Sequence, residues 1–209
     1  MSIKLKICGM RDPVNIAEVA ALRPDYMGFI FYEKSPRYVG EDFVMPTLDA
    51  SIKKVGVFVN QRSGGIIEKV KKYNLDLVQL HGTEIPEQCK ELKGEGLKII
   101  KAFSIDESFD FNLVKPYADH VSYFLFDTKG KYFGGNGKAF EWNLLKQYDQ
   151  QIPFFLSGGI SIENVTRITK IKSLKIHALD ANSGVETAPG IKDINKIEEL
   201  KRTISSLPI

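Results

Sequence analysis

Eight short runs of β-branched and aromatic residues limit most strongly how this 209-residue chain can fold. They lie at residues 3–7, 26–31, 54–59, 75–80, 97–103, 121–126, 153–156 and 175–179. Segments of helical spacing fall between them. Ile66, Ile67, Val70 and Tyr73 share one helix face, Ile162, Val165 and Ile168 step by three, and Ile191, Ile194, Ile197, Leu200 and Ile204 predict a last helix. Asp12-Pro13 places a capping residue before a proline suited to the first helical position, and Ser161 to Asn164 opens a further helix. Strands alternating with helices predict βαβ units and a parallel sheet. Runs such as VGVFV and YFLF are apolar almost throughout, as strands covered on both faces must be. Eight such units predict an α/β chain closed into a single (β/α)8 TIM barrel, one catalytic domain over residues 1–209. An open doubly wound sheet is the alternative, but five or six strands and a dinucleotide fingerprint would suit it better.

Composition removes several function classes. Lys and Arg number 29 against 26 Asp and Glu, and the excess is scattered, so nothing marks a nucleic-acid face. Two cysteines, Cys8 and Cys89, exclude a disulfide scaffold. No run is apolar enough to span a membrane, and the first ten residues lack a signal-peptide pattern, so a cytoplasmic protein is expected. The three histidines do not stand at metal-ligand spacing, and no metal is expected.

In a barrel, chemistry belongs at the C-terminal ends of the strands. Glycine sites close the last two: Ser157-Gly158-Gly159 and Asn182-Ser183-Gly184. Either alone makes a tight turn; together, after strands seven and eight, they predict a phosphate site. Cys8 ends strand one, on the face it shares with Lys4 and Lys6, where nearby cations would favour a thiolate acting as base or nucleophile. Taken by position alone, the thiol could equally be buried and inert, as expected for Cys89 in its helical stretch. Asp127 ends strand six, where partial desolvation would favour its protonated, general-acid form; the alternative is a helix or loop cap. The loop at residues 129–138 carries Gly134, Gly135 and Gly137, which would suit a mobile lid. Arg37 follows strand two and suits a carboxylate, although an arginine taken alone is more often simply solvated. His81 ends strand four; His120 and His177 read as structural or solvated.

Taken in order, these motifs resemble the phosphoribosylanthranilate isomerases of tryptophan biosynthesis. The resemblance runs through Lys6-Ile7-Cys8-Gly9-Met10, Ser35-Pro36-Arg37-Tyr38-Val39, Gly56 to Asn60, Val78-Gln79-Leu80-His81-Gly82, Asp127, Leu156 to Ile160, Asp180 to Glu186, and Pro189-Gly190-Ile191-Lys192-Asp193. It implies a (β/α)8 barrel that converts N-(5-phospho-β-D-ribosyl)anthranilate to a 1-deoxyribulose 5-phosphate by an Amadori rearrangement. It implies Cys8 as catalytic base, Asp127 as catalytic acid, Arg37 on the anthranilate, and Gly158, Gly159, Ser183 and Gly184 on the phosphate. His81 and Asp180 are expected to line the site. The substrate's own nitrogen supplies the iminium, so no cofactor is expected. The partner is the small phosphorylated substrate, with neither nucleic acid nor membrane. A monomer is expected, with a homodimer left open. The family pattern commonly has Ser-Ser where this chain has Asn182-Ser183, and Gly-Gly-Thr-Gly where it has Gly134-Gly135-Asn136-Gly137. The related isomerase of histidine biosynthesis uses paired aspartates, and Cys8 argues against it. A non-catalytic phosphosugar-binding barrel would need neither Cys8 nor Asp127.

Overall fold

The computed structural model describes residues 3–128 and 142–208. Eight parallel strands close into a barrel in sequence order. They are β1 (Lys4–Ile7), β2 (Tyr26–Ile30), β3 (Lys53–Phe58), β4 (Leu77–Leu80), β5 (Ile99–Ile105), β6 (Tyr123–Thr128), β7 (Phe154–Ser157) and β8 (Ile176–Ala181). The seam closes where β1 pairs with β8, Lys6 standing beside Asp180. All eight predicted strands are present, displaced by a few residues at their ends.

Among the described residues four α-helices pack outside: α1 (Pro13–Ala21), α2 (Ser63–Tyr73), α3 (Pro86–Gly94) and α4 (Ile194–Ser206). Asp12 caps α1 as expected, accepting from the Asn15 amide at 2.8 Å. Two expectations need correction. Residues 31–52, after β2, carry no helix; Pro36, Gly40 and Pro46 interrupt any helical period there. Ile191 belongs to a short hairpin of β9 (Glu186–Ala188) and β10 (Ile191–Lys192), so the last helix begins only at Ile194, behind the Asp193 cap. Elsewhere 3₁₀ segments replace α-helix, including Phe111–His120, where Pro116 removes a donor, and Val165–Ile171.

Strand alternation separates two apolar layers. Phe29, Phe58, Phe124, Phe126 and Phe154 face outward beneath the helices. Val55, Leu77, Ile100, Leu125 and Phe155 fill the barrel interior. Below them Tyr26 Oη meets His177 Nε2 at 2.7 Å, and burial pushes His177 down to about 4, so this histidine is a neutral structural plug. Above them the interior turns polar. Lys6, Gln79 and Asp180 are buried there, directly under the C-terminal mouth. Among the described residues no helix is long and apolar enough to cross a membrane.

Candidate active site

Lys6 and Asp180 form an ion pair of 2.9 Å, with side chains 0% and 5% exposed. Neighbouring strands at the seam bring them together, and the low dielectric makes each costly without the other. Cys8 lies one strand period above Lys6 and is itself buried. Both reach toward β2, which makes room with Gly28: a Cβ there would sit 2.7 Å from Cys8 Sγ and 3.2 Å from Lys6 Nζ. Lys4, on the same face, lies lower, 5.8 Å over the Tyr26 ring, and takes no part.

The electrostatics of Cys8 differ from the expectation. Burial pushes the thiol up, Asp180 adds to that, and Lys6 and Lys192 offset it only in part. The resting residue is therefore a thiol rather than a preformed thiolate. Lys6 stays protonated: burial works against its charge, but Asp180 and Cys8 outweigh burial.

Across the mouth, His81 Nε2 lies 3.6 Å from Asp127 Oδ2, and Asp127 is a quarter exposed. Gln79 Nε2 meets His81 Nδ1 at 2.8 Å. With that amide donating, Nδ1 accepts and the imidazole proton faces Asp127. Gln79 Oε1 is buried without a hydrogen-bond partner among the described residues. Asp180 feels both His81 and Asp127 as well as Lys6. A line of interacting titratable groups thus runs from Cys8 through Lys6 and Asp180 to His81 and Asp127.

His81 is carried by a second buried pair. Lys101 on β5 donates to Glu84 at 2.9 Å and to the Gly82 carbonyl at 2.8 Å. Glu84 accepts from the amides of Asn60 and Gly82. These bonds lace together the ends of β3, β4 and β5.

Arg37 stands beside Cys8 at the seam. Its Nε and Nη2 donate to Glu186 at 2.6–3.1 Å. Glu186 also accepts from Lys192 at 2.6 Å. Burial raises the Glu186 carboxyl, but Arg37 and Lys192 outweigh burial and hold it below the usual carboxylate range.

The glycine sites meet above β7 and β8. Gly158 and Gly159 take φ of +101° and +68°, left-handed values that favour glycine. A Cβ on Gly184 would collide with the Ile160 carbonyl oxygen, so the two loops touch only because that side chain is missing. Asn164 fixes the first loop, donating to Gly159 O at 2.7 Å and accepting from Ser161 N at 3.0 Å. Ser183 is exposed at the start of a short 3₁₀ turn. The expected lid at 129–138 lies outside the described residues. Among the described residues no cluster of His, Cys, Asp and Glu could hold a metal ion. Cys89 is buried in α3 and pushed up to about 11, mainly by burial, as an inert thiol would be.

Sequence reasoning assigned no role to Gln79, Glu84, Lys101, Glu186 or Lys192. The signal for two of them was present: Gln79 and Lys101 are polar residues inside otherwise apolar, buried strands.

The model of the N-(5′-phosphoribosyl)anthranilate (PRA) isomerase family matches residues 5–202. The chain belongs to that family. It is an isomerase of tryptophan biosynthesis. An N-(5′-phosphoribosyl)anthranilate isomerase of Parabacteroides distasonis is 45% identical over 204 residues, covering 96% of this chain and 92% of that one. The crystal structure of a phosphoribosyl anthranilate isomerase from Thermotoga maritima is similar at 32% identity and a TM-score of 0.84, covering 98% of this chain and 100% of that one. A phosphoribosyl anthranilate isomerase in complex with reduced 1-(o-carboxyphenylamino)-1-deoxyribulose 5-phosphate is similar at 30% identity, a TM-score of 0.81 and the same coverage.

Proposed function

We propose that this chain, as one catalytic barrel, converts N-(5-phospho-β-D-ribosyl)anthranilate to 1-(2-carboxyphenylamino)-1-deoxy-D-ribulose 5-phosphate, with Asp127 as general acid and Cys8 as general base. The observation that carries the reading is the linked row of titratable groups joining an acid on β6 to a thiol after β1. Asp127 protonates the ring oxygen. The C1′–O bond breaks as the nitrogen lone pair forms an iminium, which acidifies the C2′ proton. Cys8, as thiolate beside Lys6, removes that proton, and its electrons flow to nitrogen to give the enolamine. C1′ then takes a proton, the C2′ hydroxyl loses one, and the ketone forms. Exchange with solvent restores the acid and the base.

Arg37 receives the anthranilate carboxylate, while the backbone around Gly158, Gly159, Ser183 and Gly184 receives the phosphate. Holding both anionic ends stretches the substrate across the mouth and orients the sugar between acid and base. His81 and Asp180 line the sugar. Asp180 keeps Lys6 charged, and Lys6 in turn is the counter-ion for a Cys8 thiolate.

The decisive experiment follows the loss of fluorescence of phosphoribosylanthranilate, generated in situ, for wild type, Cys8→Ala and Asp127→Asn. An acid–base group contributes about 10²–10⁴-fold. Each variant should lose at least about 10²-fold in kcat while still binding the reduced product analogue. A near-wild-type rate in either variant removes that residue from the mechanism. No turnover by folded wild type rejects the substrate.

A further inference from the structure

Arg37 is not presented to a ligand as a bare cation. Glu186 occupies its Nε–Nη2 edge with three hydrogen bonds. Among the described residues nothing accepts from Nη1, so the end of the guanidinium is the part left for a ligand. An arginine already paired with a carboxylate is close to neutral as a unit, and a second carboxylate would find little attraction there.

Lys192 changes that balance. Its side chain is fully buried, and Nζ donates to Glu186 Oε1 at 2.6 Å and to Asn182 Oδ1 at 2.7 Å. Two cations thus share one anion, and the trio keeps one positive charge. The arrangement is built from both sides. The buried Asn15 amide on α1 holds the Lys192 backbone, donating to its carbonyl at 2.9 Å and accepting from its amide at 2.7 Å. Gly9, next to Cys8, lets Arg37 and Asn182 close in: a Cβ there would sit 2.7 Å from both Arg37 Cδ and Asn182 Oδ1. Glu186 is also tied by the Gly190 amide at 3.1 Å, so the carboxylate aims Arg37 from a fixed base.

We propose that Lys192 is a positioning residue whose charge cancels that of Glu186, so that Glu186 can aim Arg37 while Arg37 keeps its net charge for the carboxylate of the substrate. This rests on Arg37 being the carboxylate site of the reaction proposed above. Lys192 touches no substrate in this scheme; it acts through Glu186.

The test compares binding of two probes: the reduced product analogue, and the same compound without its ring carboxylate. Wild type should prefer the carboxylated probe. Lys192→Gln and Lys192→Met, each shown to be folded by thermal melt, should lose about tenfold or more of that preference, the scale of one charge-assisted hydrogen bond. KM for phosphoribosylanthranilate should rise with the loss. Glu186→Gln combined with Lys192→Gln returns the net charge of the trio to that of wild type and should recover much of the preference. A merely structural role for Lys192 gives no such recovery. Preference unchanged in the folded Lys192 variants, or no recovery in the double variant, overturns the proposal. Failure of the underlying reading looks different: then Arg37→Met also keeps the preference, or wild type never shows one.

Discussion

Asp180→Asn isolates the buried pair at the seam. The amide keeps the shape and one acceptor for Lys6 but removes the charge, leaving a fully buried ammonium uncompensated. Breaking a buried pair from one side costs about 3–5 kcal/mol. The variant has an escape, because Lys6 can shed its proton. For a lysine of ordinary pKa near 10.4, doing so at pH 7 costs about 5 kcal/mol, which caps the loss. Cys8 offers a second escape, since Asp180 is one of the groups that raise its pKa and a thiolate could pair with Lys6. Both routes release one proton on folding. In wild type Lys6 is charged in both states, its folded pKa lying above the ordinary value, so it adds no slope below pH 10. To the extent that the variant takes either escape, its unfolded state binds one more proton than its folded state, so stability rises with pH by up to about 1.4 kcal/mol per unit, until roughly pH 8.5. Urea melts of both proteins at pH 6, 7, 8 and 9 measure this. The expected result is a gap of about 3–5 kcal/mol at pH 7 that narrows as pH rises. A gap below about 1 kcal/mol, or one that does not narrow, would refute the argument that the barrel interior holds a costly, mutually dependent pair.

Two further predictions follow from the same energetics. Because burial holds the Cys8 thiol up, and the acid must carry its proton while the thiol has lost its own, kcat/KM should be level around pH 7 and fall only beyond about pH 8.5, the ordinary thiol range; a fall centred below pH 7 would refute a thiol base held up by burial. Lys101→Met should destabilise by about 3–5 kcal/mol in urea melts by stranding Glu84; the double variant with Glu84→Gln should cost less than the single one, and equal or greater cost would show that the pair is not coupled.

Parallel barrel strands are covered on both faces, which is why runs such as VGVFV and YFLF marked β3 and β6 so plainly. The outer shell was harder to read. Short 3₁₀ segments leave weak periodicity, and the stretch after β2 signals its lack of helix only through Pro36, Gly40 and Pro46. Strand parity placed Lys6 on the face of Cys8, yet it could not say whether burial or the neighbouring ammonium would govern the thiol. That depends on how deep the group lies, and depth is a property of the closed barrel. Glu186 and Lys192 stood in a quoted motif, but their role depends on Arg37 meeting them from 149 and 155 positions earlier in the chain, a juxtaposition no local pattern encodes.

The site straddles the barrel seam. Lys6 and Asp180 are 174 positions apart, Arg37 and Glu186 149, and Asn15 and Lys192 177. A chain still emerging from the ribosome without its last few dozen residues has neither the anion for Lys6 nor the clamp for Arg37. Loop closure over such spans comes late, because its entropic cost precedes any contact that rewards it. Synthesis therefore yields no partly competent enzyme: two fragments cut between β4 and β5 would each be inert, one carrying the thiol and the other the acid. Recovery of turnover on mixing would report that β1 had found β8, making catalysis itself a gauge of barrel closure.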